Sequence, residues 1–231
     1  MLQAFDNNED FKEQMIAAAI SHREQDEYID GTYFDDSDSF RGCSVGCSLF
    51  DVKGIKGIDV GEYYDDHALL AKELGIPEFI CHLQDSIFEG LPDSERFKWT
   101  ERLFNSIPLG VDLTHVLPRF LLKTLDRLPK TDDQDVEDAI KGVKNVLISW
   151  AETGIVGAEA ARSAARSAAR SVAGSVAGSV AWSAAWSAGS AAESPWSAAR
   201  SVAWSAESAA RSVAWECIAS DLIECIEGDT P

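Results

Sequence analysis

The sequence predicts an all-α protein with, at most, one small β-hairpin. A compact helical domain over residues 1–153 is followed by a long antiparallel Ala/Ser-rich helical hairpin over 154–231. Two observations carry this. Between residues 9 and 150, apolar residues recur at three- and four-residue spacing, in runs stopped by Gly and Pro. From about residue 158, Ser-Ala-Ala-X repeats, with X drawn from Arg, Gly, Trp and Glu.

In order, Asn7 or Asn8 caps a first helix bearing Phe11, Met15, Ile16, Ala19 and Ile20 on one face. Between residues 30 and 61 the period drops and Gly, Ser and Asp accumulate. Thr32–Phe34 and Val45–Phe50 are read there as a short β-hairpin around the acidic loop Asp35–Asp38. Gly54, Gly57 and Gly61 mark a second loop. Leu69, Leu70 and Leu74 line a helix stopped by Gly75 and Pro77; Phe79, Ile80, Leu83 and Ile87 line the next, stopped by Gly90 and Pro92. Asp93 or Ser94 caps a helix with Phe97, Trp99, Leu103, Phe104 and Ile107. Another carries Val116, Leu117, Phe120, Leu121, Leu125 and Leu128, with Pro118 either kinking it or marking its start. Asp132 or Asp133 caps the last helix of the domain, which Thr153-Gly154 ends.

In the repeat, X first recurs every four residues, from Arg162, Arg166 and Arg170 to Trp182 and Trp186. Each step overshoots one helical turn by roughly 40°, so the column winds around the helix. After Pro195 the spacing alternates between three and four, a rhythm of about 3.67 residues per turn that holds Trp196, Trp204 and Trp215 on one face. Gly189, Ser194 and Pro195 supply a turn, which gives arms at 158–188 and 195–227. Folded back, Arg162, Arg166 and Arg170 would meet Asp221, Glu224 and Glu227. Trp182, Trp186, Trp196, Trp204 and Trp215 are the interface candidates. A membrane span is disfavoured by the serines, disorder by the tryptophans, and nucleic-acid binding by five arginines facing nine acids.

The formal charge of −19 argues against nucleic acid or an anionic membrane as partner. It permits a basic protein partner, and solubility through self-repulsion is its plainest meaning. No charged-then-apolar leader opens the chain, and five cysteines fit reduced thiols, so a cytoplasmic location is expected.

The sharpest local chemical signal is Arg41-Gly42-Cys43-Ser44-Val45-Gly46-Cys47. Cys43 and Cys47, with His67 and His82, have the ligand types of a tetrahedral zinc site, but the spacing is wide and no second tight pair exists. Arg41 with the backbone of Gly42 and Gly46 offers an anion-binding nest. Buried structural cysteines and a tight glycine turn are the competing readings, and they outweigh both. No nucleophile elbow, metalloprotease or P-loop signature occurs, and no cofactor is expected.

Gly42-Cys43-Ser44-Val45-Gly46-Cys47, Leu74-Gly75-Ile76-Pro77, Ile87-Phe88-Glu89-Gly90-Leu91-Pro92 and Ile107-Pro108-Leu109-Gly110-Val111-Asp112-Leu113 resemble phrases of a family of uncharacterised proteins found in bacteria and their phages. Members of that family also tend to end in an Ala/Trp-rich tail. The resemblance implies no activity; occurrence in phages makes evasion of host defence an option.

The function expected from the sequence is therefore a non-enzymatic interaction or oligomerising protein, a homo-oligomer or a binder of a host protein. The alternatives are a sequestering protein for an anionic signal nucleotide, and a metal-dependent or thiol enzyme centred on Cys43 and Cys47.

Overall fold

The computed structural model describes residues 2–35, 39–62, 64–128, 130, 132–155, 157, 163, 186 and 214–228. After a turn at Ala4–Asn7 come α1 (Glu9–Glu24), α2 (Ser44–Lys56), α3 (His67–Leu74), α4 (Glu78–Gly90), α5 (Asp93–Arg96) and α6 (Trp99–Ser106). They are followed by α7 (Val116–Asp126), α8 (Gln134–Thr153) and α9 (Trp215–Glu227). Among the described residues the fold is all-α, and no helix is long and apolar enough to cross a membrane. The chain divides into two compact units, Met1–Thr114 with Ile226–Pro231, and His115–Cys225.

In the first unit, α1 packs on α2 and α6, and α4 packs on α2, α3 and α6. Caps set the ends. The Asn8 side chain accepts from the Phe11 N–H, the Asp66 side chain from Leu69, and Gly75 closes α3 at φ +66°. Met15, Leu49, Leu70, Leu74, Ile80, Leu83, Trp99 and Phe104 are fully buried. A buried polar cluster joins three helices here: Gln84 donates to Ser44 Oγ at 2.7 Å and Ser48 Oγ at 3.0 Å, and Ser44 Oγ lies 2.7 Å from Thr100 Oγ1.

The chain before α1 is unusual. Phe5, Asp6 and Asn7 all have positive φ, at 54°, 56° and 52°. That conformation costs L-residues about 1–2 kcal/mol each. Burial of the Phe5 ring, edge-on to Phe11 and Phe104, offsets the cost. Lys56 fixes the turn from outside through a 2.8 Å bond to Asp6.

The expected β-hairpin does not form. Val45–Phe50 lies inside α2, and Gly54, expected in a loop, is in the same helix, with Gly57 as its left-handed C-cap. Val45, Leu49 and Val52, all fully buried, recur at steps of four and three, a helical stripe that the short window 45–50 truncates. What survives of the hairpin is one antiparallel bridge, Asp35 to Arg41, with a parallel bridge between Tyr28 and Gly42. The expected helix from Asp93 is likewise split, into α5 and α6, at Phe97-Lys98.

Gly42 and Gly46 explain why the loop before α2 lies where it does. A Cβ on Gly42 would sit 2.3 Å from the Tyr33 carbonyl oxygen, and one on Gly46 only 1.7 Å from it. The two glycines make a notch at the start of α2 into which this peptide fits, and Cys43 N–H donates to the Thr32 carbonyl at 3.0 Å.

In the second unit α7 packs on α8. Pro118 stands in the first turn of α7, where it needs no kink. Asp133 caps α8 and Gly154 ends it. Asp221 and Glu224 of α9 are held by Arg127 and Lys123 of α7, with Arg127 Nη2 2.7 Å from Asp221 Oδ1. Arg162, Arg166 and Arg170, their expected partners, lie outside the described residues. So does the repeat that would form the hairpin, apart from Ser163, Trp186 and the segment from Ala214.

Two outcomes test this packing. Gly46→Ala is expected to lower unfolding free energy by about 3 kcal/mol in urea titration, because the added methyl meets backbone. Gly142→Ala, mid-helix in α8 with nothing near its Cβ, is expected to raise it by about 0.5–1 kcal/mol. The buried His22 gives a pH signature. Burial alone would depress its pKa, but hydrogen bonds and charge from Asp51 at 2.9 Å and Glu27 at 2.7 Å outweigh this and raise it above 6.5. Its stabilisation is therefore full below that value and is lost as pH rises through the raised one. As pH rises from below 6.5 through the raised value, the wild type should lose more stability than His22→Gln.

Candidate functional site

The notch at Gly42 and Gly46 places the Gly31–Tyr33 loop over one face of α4. Along that helix Glu78, His82, Asp85 and Glu89 stand at steps of four, three and four, so they form one polar stripe. Gly31, Thr32 and Tyr33 from the loop, Cys43 from the start of α2, and Asp85 and Glu89 line a cleft of about 280 Å³. None of the lining side chains is basic.

Asp85 is the hub. Its Oδ1 accepts from the Cys43 thiol at 3.3 Å and its Oδ2 from the Tyr33 hydroxyl at 3.0 Å. His67 Nε2 lies 3.3 Å from the same Oδ2. The other ring nitrogen of His67, Nδ1, is 3.0 Å from the Asp65 carbonyl oxygen. The His67 and His82 rings stack at 4.2 Å, and His82 Nε2 lies 3.3 Å from Glu78 Oε1. Glu89 accepts from the Gly31 N–H at 2.9 Å.

The electrostatics are those of crowded anions. Cys43 is the N-cap residue of α2, where N–H groups favour a thiolate. Burial and the Asp85 charge outweigh the Val45 and Gly46 N–H groups and push the thiol pKa well up. Tyr33 is raised by burial and by Asp85. Glu89 is raised by burial first and by Asp85 and Asp30, against the Gly31 N–H and Arg96. A protonated, buried Cys43 is a poor nucleophile at neutral pH.

The sequence-derived candidates separate here. Cys43 lies in the cleft, and His67 touches it through Asp85. Cys47 does not face the cleft: its thiol donates to the Gly42 carbonyl at 3.4 Å, and burial with the charge of Asp51 raises its pKa. His82 stacks on His67 and does not line the cleft. The anion nest has no free backbone donors at its start, since Gly42 N–H bonds to the Glu27 carbonyl and Cys43 N–H to that of Thr32, while the Tyr33 carbonyl fills the glycine notch. Arg41 pairs its backbone with Asp35 and does not line the cleft. Of the tryptophans, Trp186 is 53% exposed and Trp215 half-buried, whereas Trp182, Trp196 and Trp204 lie outside the described residues. Tyr33, Asp85 and Glu89 were not singled out from the sequence. The four-three-four polar stripe of α4 was the signal that could have found the two carboxylates.

Comparison of the chain with protein-family models, with curated proteins and with solved structures found no match.

Thiol labelling checks this geometry. With a disulfide reagent near neutral pH, Cys217, the one cysteine of intermediate exposure, should react first, and Cys43, Cys47 and Cys81 only on unfolding. Fast labelling of Cys43 in the folded chain would contradict the buried, protonated thiol.

Proposed function

We propose that the protein is a non-enzymatic binding protein whose first unit holds a small cation in the Gly31–Glu89 cleft. One observation carries the reading: ligand atoms of Cys43, Asp85 and Glu89 lie within 4.8 Å of one another, in a cleft lined by no basic side chain. Carboxylates held this close repel one another, and burial strengthens the repulsion; a bound cation removes it. The same crowding disfavours an anionic nucleotide. A thiol held protonated gives no support to covalent catalysis.

Thermal unfolding with and without added cations tests this. K⁺, Mg²⁺, Ca²⁺, Mn²⁺, Zn²⁺ and spermidine form the panel. At least one should raise Tm, by the equivalent of about 2.7 kcal/mol at a hundredfold excess over Kd. The rise should be lost in Asp85→Asn and Glu89→Gln. No response to any member would remove the reading.

Association is a second reading, favoured by exposed apolar side chains. Ile148 and Ile155, seven residues apart at the end of α8 and just beyond it, are 43% and 72% exposed. The partner would be a second copy or a basic protein suited to the acidic surface. Native mass spectrometry is expected to report more than one subunit for the wild type and a smaller assembly for the Ile148→Glu, Ile155→Glu double variant; an unchanged monomer would count against self-association.

A further inference from the structure

We infer that the cation is a divalent metal ion of the zinc class, bound by Cys43 Sγ, Asp85 and Glu89, with His67 supporting Asp85 from behind. This rests on the cation reading above and names the ligand of the same cleft.

The donor set decides the class. One sulfur and two carboxylates make a mixed S/O set, which suits Zn²⁺ and its neighbours with water completing the shell. Ca²⁺ and Mg²⁺ prefer six or more oxygens and gain little from a thiolate. A monovalent ion or a polyamine does not displace a thiol proton, whereas Zn²⁺ does, leaving a Zn–S bond and one proton released to solvent.

The spacing fits as well. Bonds of about 2.0 Å to nitrogen and oxygen and about 2.3 Å to sulfur put tetrahedral ligands about 3.3–3.8 Å apart. Cys43 Sγ already lies 3.3 Å from Asp85 Oδ1. Glu89 lies within 4.8 Å of both Cys43 and Asp85, and a terminal carboxylate can close such a gap by turning about its own side chain.

His67 supports the site from outside. Its Nδ1 lies 3.0 Å from the Asp65 carbonyl and its Nε2 3.3 Å from Asp85 Oδ2, so the ring ties the Asp85 carboxylate to the backbone before α3. Ligating carboxylates are commonly held by such outer hydrogen-bond partners. Stacking on His82 holds the ring in that orientation.

The test uses the full chain, stripped with a chelator and titrated with Zn²⁺, Ca²⁺, Mg²⁺ and spermidine by calorimetry, with Co²⁺ as a spectroscopic probe. One Zn²⁺ per chain is expected. The Co²⁺ form should show a thiolate-to-metal charge-transfer band that vanishes in Cys43→Ser and persists in Cys47→Ser. Glu89→Gln and His67→Gln should each weaken Zn²⁺ binding 10–100-fold, an effect of about 1.4–2.7 kcal/mol. Circular dichroism reports whether each variant folds; should Cys43→Ser not fold, the Glu89→Gln and His67→Gln affinities decide. Binding of Ca²⁺ or spermidine without Zn²⁺ would overturn the metal class and leave the cation reading standing. No binding of any cation would overturn both. Zn²⁺ held equally well by the Cys43→Ser and Glu89→Gln chains would place the metal elsewhere and overturn the assignment.

Discussion

The Tyr33 carbonyl lies in a notch that only glycine at 42 and 46 leaves open, and the first unit's chemistry depends on that contact. Without it the Gly31–Tyr33 peptide could not settle against the start of α2. The Tyr33 hydroxyl would then lose Asp85, and the Gly31 N–H would lose Glu89. The constraint is steric before it is chemical. A methyl group at either position meets backbone, which cannot rotate away as a side-chain tip can. Two glycines four apart in a helix start are thus worth more here as absent side chains than as flexible hinges.

That same contact determines what the cysteines can do. From the N-cap position of α2, Cys43 directs its thiol at Asp85, while Cys47, one turn on, turns back to the Gly42 carbonyl. Two thiols four residues apart therefore live in separate environments. A helix N-terminus ordinarily activates a thiol, but burial beside a carboxylate reverses the sign. The outcome is a buried thiol and two carboxylates in close company, the feature on which the proposed cation binding rests. Across α1 and α2, His22 shows the contrasting solution: two carboxylates share an imidazole of the chain's own, and that crowd needs no outside cation.

Much of the helical frame was legible in the sequence, because it rests on local signals. The capping side chains of Asn8 and Asp133, and the glycines 75 and 154, stop or start helices within a few residues of themselves. The start of α2 was not legible, since Gly42 just before it and Ser44, Gly46 and Ser48 in its first turns imitate a loop; the Val45–Leu49–Val52 stripe outweighs them only once the helix is seen whole. The site was half legible for a related reason. Cys43 stands out in the chain, but its partners Asp85 and Glu89 lie more than forty residues on and join it through α2–α4 packing, which no local pattern records. The pairing of the acids of α9 with Arg127 and Lys123 is likewise a tertiary contact that no local pattern records.

X-ray absorption at the zinc edge of the loaded full-length chain tests the central claim most directly. One sulfur at about 2.3 Å with three nitrogen or oxygen neighbours at about 2.0 Å is the shell that Cys43, Asp85, Glu89 and a water would build. A shell without sulfur, or with two or more, would contradict it.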